Sequence, residues 1–149
     1  MSDIAVFDDN GTPSGVVAEK IGGLHNSQAM IFCTFDASTA EGKARLYAAI
    51  SDAEQLEDNL NKTIQLVDIV GVPASVADDV TGEIREVLRL ILIGKDGKRY
   101  SAISDGLYSS LQNIMAIYGP PGLWDAPLAI KVVSGKSRRG FRYFTAKLA

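Results

Sequence analysis

Lys136, Arg138, Arg139 and Arg142 stand close together in "SGKSRRGFRYFTAKL" (134–148), beside Phe141, Tyr143 and Phe144. Those two side-chain types share one chemistry, because cations neutralise phosphates and flat rings stack on nucleobases. Each stacked base contributes roughly 1 to 3 kcal/mol. The stretch opens with Gly135-Lys136-Ser137, the triplet that closes a phosphate-binding loop. Such a loop needs a second glycine five positions before Gly135 so that backbone N–H groups can wrap the β-phosphate. Ile130 occupies that position, and strand-forming residues follow where a helix should aim its N-terminus at phosphate. The nucleotide-loop reading fails, and a basic turn between two strands remains.

The same pairing of cations with aromatics recurs twice. "KARLYAAI" (43–50) reads as a strand in which Lys43, Arg45 and Tyr47 share one face and Ala44, Leu46, Ala48 and Ile50 the other. Lys95, Lys98 and Arg99 surround Asp96-Gly97, a tight-turn signal, and Tyr100 follows. In the last strand Phe141, Tyr143, Thr145 and Lys147 alternate with Arg142, Phe144, Ala146 and Leu148; the second set is core-facing from Phe144 onward. The expected DNA-contacting set is therefore Lys43, Arg45, Tyr47, Lys95, Lys98, Arg99, Tyr100, Lys136, Arg138, Arg139, Phe141 and Tyr143. For Tyr47, Tyr100, Phe141 and Tyr143, packing and stacking both stand open, since strands favour aromatics for packing alone. Tyr118, on a helical apolar stripe, is assigned to the core, and Trp124 in "PPGLWDAP" anchors its loop.

Catalysis finds no support. The carboxylate clusters Asp8-Asp9, Asp78-Asp79 and Glu54/Glu57/Asp58 read as solvated loops. His25 is the only histidine and Cys33 the only cysteine, so a zinc site or a Cys–His pair has no basis, and no metal, cofactor or catalytic residue is expected. Cys33, beside Phe32, reads as core. The composition, 46% apolar and 22% charged, is that of an ordinary globular domain. No stretch has the length of a membrane span or the pattern of a signal peptide, so the expected location is cytoplasmic. The net charge of −3 hides a division: residues 1–88 carry 5 basic and 15 acidic side chains, residues 89–149 carry 10 and 3. Assembly of copies along DNA, acidic segments against basic ones, would follow from that split.

The elements that must position these residues follow from periodicity and turn chemistry. Residues 1–24 are turn-rich and read as an arm, with one domain over 25–149. "AMIFCTF" (29–35) and 43–50 read as a hairpin. Residues 51–60 form a short helical turn or loop, with Ser51 a cap candidate. A strand from 62 ends near Gly71 and Pro73, "ASVADDVTG" (74–82) is a loop, and a buried strand lies between Glu83 and Ile93. Residues 86–94 and 98–104 pair as a hairpin. Ser104 or Asp105 caps a helix carrying Leu107, Leu111, Ile114, Met115 and Tyr118, which Gly119–Gly122 stop. Two strands joined by the basic turn finish the chain. The order predicts a mainly β fold, an OB-fold-like five- to six-stranded Greek-key barrel with one helix before the last two strands; an α+β sandwich is the competitor.

"TFDASTAEGKARLYAA" (34–49), "DGKRYSAIS" (96–104) and "IKVVSGKSRRGFRYFTAKL" (130–148) together resemble, in order and position, blocks of the single-stranded DNA-binding proteins of small Bacillus-type phages that replicate by protein priming. The resemblance implies a replication protein on an OB-fold that coats displaced single strands, protects them from nucleases and prevents reannealing. It implies that tyrosines sense bound DNA, with Tyr47, Tyr100 and Tyr143 the matching positions. The chain departs from that pattern in an N-terminal arm of about thirty residues and a longer acidic stretch between 51 and 83. The expected partners are single-stranded DNA without sequence preference, further copies of the chain in cooperative binding, and a replication polymerase. The alternative is a non-enzymatic structural or adaptor protein whose barrel edges bind proteins.

Overall fold

The computed structural model describes residues 31–149 apart from Phe141. The arm expected over 1–24, His25, residues 29 and 30, and the proposed contact at Phe141 lie outside the described residues.

The strongest local signals set the frame. Asp96 Oδ1 accepts the Lys98 N–H at 3.0 Å and shapes the turn between β4 (Ile84–Gly94) and β5 (Arg99–Ile103), which pair antiparallel from Arg89↔Ile103 to Ile93↔Arg99. Ser104 then caps α2 (Asp105–Tyr118): its Oγ accepts the Leu107 N–H at 3.2 Å. The helix stops at Gly119, whose N–H donates to the Met115 carbonyl. Leu107, Leu111 and Ile114 are buried beneath it, each contributing roughly 1.5 to 3 kcal/mol. Tyr118, assigned to the core by its spacing, is exposed at the last position of α2. Trp124 anchors its loop as expected, donating from Nε1 to the Gly119 carbonyl at 2.9 Å.

β3 (Thr63–Ala77) is the spine of the sheet. It pairs with β4 on one side and, over Thr63–Leu66, with β6 (Leu128–Lys136) on the other; β6 pairs with β7 (Arg142–Leu148). The strand order β5-β4-β3-β6-β7 is a Greek key, in which a long connection through α2 returns the fourth strand beside the first. The curled sheet is a half-barrel of OB-like form. Its open side, between β5 and β7, is bridged by the Phe144 N–H donating to Ser104 Oγ at 3.3 Å.

Among the described residues the sheet has seven strands, where the sequence predicts five or six. β1 (Phe32–Cys33) adds antiparallel to β3, and β2 (Glu54–Gln55) adds parallel to β5. β1 confirms extended backbone where "AMIFCTF" predicts it, but its partner is β3. The expected partner, residues 43–50, is helical: α1 spans Ala40–Asp52. Thr39 caps it, accepting the Gly42 N–H at 2.9 Å, Glu41 supplies a carboxylate in the first turn, and alanines favour the helix throughout. Leu46, Ala49, Ile50 and Ala53 form its buried face at helical spacing, which the period-2 alternation obscured. Ser51 therefore lies in the last turn of α1 and caps nothing; a 3-10 turn at Leu56–Asn59 follows β2, with Leu56 fully buried.

β3 also runs past Gly71 and Pro73, to Ala77, so part of the expected 74–82 loop is strand. At Gly71 the Phe32 ring of β1 lies over the bare Cα, where a Cβ would come within 2.4 Å of it. Pro73 falls where, among the described residues, β4 alone pairs with β3, an edge position that tolerates a missing N–H. Two cores result. The inner face of the half-barrel buries Leu56, Ile64, Leu66, Leu90, Leu92 and Ile130 with α2, while α1 covers Val70, Ile91 and Ile93 on the outer face.

Candidate nucleic-acid interface

The β6–β7 hairpin is built by alternation. Val132 and Ala146 face each other in register and are buried, so Phe144 also faces inward, and the opposite parity points Tyr143, Thr145 and Lys147 outward. Leu148, core-facing by parity, is exposed at the strand end. In the turn the Gly140 N–H donates to the Ser137 carbonyl at 2.9 Å, and Gly140 takes φ 84°, a conformation glycine adopts without strain.

Tyr143 stands opposite Gly135 in register, and the end of its ring lies against the glycine: a Cβ at Gly135 would come 2.8 Å from Cζ and Oη. On another side Gly106, in the first turn of α2, lies close enough that a Cβ there would meet Tyr143 Cδ2 at 3.5 Å. The Gly135 of the failed phosphate-loop triplet thus has a different use, to seat an aromatic ring on the sheet. Tyr143 remains 42% exposed, which leaves ring surface accessible to a ligand.

The cations around this ring are of two kinds. Lys136, Arg138 and Arg139 are exposed, and among the described residues they form no ion pair. Arg142 pairs with Glu57 at 2.8 Å and lies 5.5 Å over the Phe144 ring. Both partners of that ion pair are about half exposed, so it contributes roughly 0 to 1 kcal/mol and yields readily to a phosphate. Lys131 and Lys147 stand directly opposite each other on the outward parity that carries Tyr143. Like charges in that position repel in the free protein, and an anion between them relieves the cost. The sequence reading left these two out. Their signal was available, because Lys147 shares the alternation of Tyr143, but the pairing register that brings Lys131 opposite was not.

The β4–β5 turn lies at the same end of β3: the Lys95 N–H donates to the Gln65 carbonyl at 2.8 Å, and β6 continues past Thr63 toward its own turn. Lys95 and Lys98 are exposed and Arg99 is half-buried. Tyr100 is not available there. It is 8% exposed and packed in the inner core, so its ring offers no open face for stacking. Burial, followed by the nearby carboxylates of Asp96 and Glu54, pushes its phenol above the ordinary value and keeps it neutral.

The third group is dispersed by the helix. Lys43 and Tyr47, four residues apart, are neighbours on exposed α1 surface, with Tyr47 74% exposed. Arg45 is turned away and committed: it pairs with Asp68 at 2.6 Å and stacks 4.2 Å over Phe35, while Asp68 also accepts from Thr34 Oγ1 at 2.7 Å. An OB-fold offers the outer face of its second and third strands to oligonucleotides. Here α1 covers that face of β4 through Ile91 and Ile93, which leaves the β6–β7 hairpin and the β4–β5 turn as the basic, open surfaces.

Among the described residues no group of three His, Cys, Asp or Glu side chains converges to hold a metal ion, and no helix is long and apolar enough to cross a membrane. The Cys33 thiol donates to the Phe35 carbonyl at 3.2 Å, and burial pushes its pKa up, away from a nucleophilic thiolate. Compared with known proteins, the chain matches one family model over residues 25–149, that of the phi29-type phage single-stranded DNA-binding protein. No curated protein and no solved structure matches it.

Proposed function

The chain belongs to the phi29-type phage single-stranded DNA-binding protein family, and from that premise we propose where and how it holds the strand. Binding single-stranded DNA in phage replication is the family's function. The strand follows the outward side of the β6–β7 hairpin. Lys136, Arg138 and Arg139 take phosphates at the turn, a base stacks on Tyr143, and the Lys131/Lys147 pair takes a further phosphate. Lys95, Lys98 and Arg99, from the same end of the sheet, extend the positive field. Phosphate contacts and stacking are blind to sequence, so binding is non-specific.

The observation that carries this reading is the Tyr143 ring, seated on Gly135 with surface exposed, beside Lys136, Arg138 and Arg139, which form no ion pair among the described residues. Lys43 and Tyr47 stand on α1, and Arg45 and Tyr100 serve the fold. The protein works without catalysis, in the cytoplasm of the host, coating strands for a replication polymerase. No observation favours the adaptor reading. Titration with oligo(dT) and with duplex of equal length, followed by tyrosine and tryptophan fluorescence at two salt concentrations, tests it. Salt-sensitive quenching by the single strand alone is the expected result; equal response to the duplex would overturn the stacking.

A further inference from the structure

β3 and β4 continue beyond the body of the sheet. Past Arg89 no β5 residue pairs with β4, past Gly71 no β1 residue pairs with β3, and β6 leaves β3 at Leu66. Among the described residues, 73–77 and 84–88 therefore form a two-stranded ribbon with no further strand on its outer edges. Its turn is held by Asp78, whose Oδ1 accepts the N–H groups of Val80 and Thr81 at 2.7 and 2.9 Å. Those two bonds, Thr81 first, lower the carboxyl below its ordinary value.

The ribbon carries Asp78, Asp79, Glu83 and Glu86 against Arg85 alone. Val80 at its tip is 92% exposed and Ile84 73%. The basic turns leave the other end of the same spine: β6 runs antiparallel to β3, so the β6–β7 turn lies beyond Thr63, while the ribbon lies beyond Pro73. One end of the fold is thus acidic with an apolar tip, and the opposite end offers Lys136, Arg138 and Arg139.

We propose that the ribbon of one copy docks on the β6–β7 hairpin of a second copy, head to tail, when that hairpin carries no DNA. Charge complementarity selects the occupant, and the placement of the two surfaces at opposite ends makes the contact heterologous, so it propagates from copy to copy. The carboxylates of Asp79 and Glu83 take the positions of phosphates. Ribbon and strand therefore exclude each other, and DNA dissolves the association. The exclusion rests on the hairpin being the DNA site; the contact itself does not.

Sedimentation velocity of the full chain without DNA tests the contact at about 0.01 M and about 1 M salt, where the screening lengths differ about tenfold. The wild type is expected to sediment at dimer mass or above at low salt and as a monomer at high salt. Asp79→Lys with Glu83→Lys, which leaves the Asp78 turn intact, and Arg138→Glu with Arg139→Glu are each expected to be monomeric at both. Mixing the two variants restores low-salt association, since a basic ribbon then meets an acidic hairpin. A monomeric wild type at low salt, a ribbon variant that associates like the wild type, or a mixture that stays monomeric would each overturn the proposal. Oligo(dT) is expected to return the wild type to single copies; assembly that survives it would overturn the exclusion. Dilute oligo(dT) binding by the ribbon variant reads the DNA site separately, so failure of either reading is recognisable.

Discussion

Two hairpins leave opposite ends of β3, and they use charge differently. In the β3–β4 turn the Asp78 carboxylate is committed to its own backbone, accepting two N–H groups, and Glu86 accepts from Ser75 Oγ at 2.9 Å. In the β6–β7 turn the backbone closes on itself through Gly140 and Ser137, which leaves Lys136, Arg138 and Arg139 without ion-pair partners among the described residues. Charge that satisfies its own turn builds structure. Charge left over from a turn that needs none is available to a ligand. Beside the second kind lies an aromatic ring whose seat is a glycine, so the stacking surface is positioned before any base arrives.

The comparison can be broken most severely by making both hairpins acidic. Arg138→Glu with Arg139→Glu removes two phosphate contacts and adds repulsion; oligo(dT) affinity at about 0.1 M salt should fall on the order of 100-fold or more, read by fluorescence titration. Tyr143→Ala keeps the cations and removes the ring. An expected loss of about 1 to 3 kcal/mol, roughly 5- to 150-fold in affinity, should come with an unchanged salt slope. Gly135→Ala keeps the ring but moves its seat, since the new Cβ would stand 2.8 Å from Tyr143. Its affinity loss should be smaller than that of Tyr143→Ala, with altered tyrosine near-ultraviolet circular dichroism; loss of affinity with an unaltered tyrosine signal would contradict the seat. At the acidic hairpin, Asp79→Lys with Glu83→Lys should leave the affinity of dilute protein for a short oligonucleotide unchanged. A rise there would put the strand on this hairpin instead.

What the sequence disclosed follows the range of the interactions. The β4–β5 hairpin, α2 with its Ser104 cap and the β6–β7 pair each rest on residues a few positions apart, such as Asp96-Gly97 or the alternation of Tyr143 and Phe144. α1 was hidden because its alanines fit either period, while the Thr39 cap and Glu41, a few residues upstream, held the deciding signal. The reach of β3 through Gly71 depends on a ring thirty-nine positions earlier, Phe32 of β1. Tyr100 reads like Tyr143, a tyrosine after cations, but it faces the inner core beside α2, a placement set by how the sheet curls. The Lys131/Lys147 pair likewise needs a register between strands. Basic turns were visible in the sequence, whereas which aromatic stays open was a tertiary fact.

The central claim is that the strand's phosphates lie on the β6–β7 turn, and the salt dependence of affinity reads it most directly. Each phosphate contact contributes about 0.7 to the slope of log K against log salt for a single strand. Oligo(dT) titrations of the wild type and of Arg138→Ala with Arg139→Ala, from about 0.05 to 0.2 M salt, should give slopes that differ by about 1.4, the variant being the shallower. Equal slopes, in a variant that remains folded, would put the phosphates elsewhere and contradict the account.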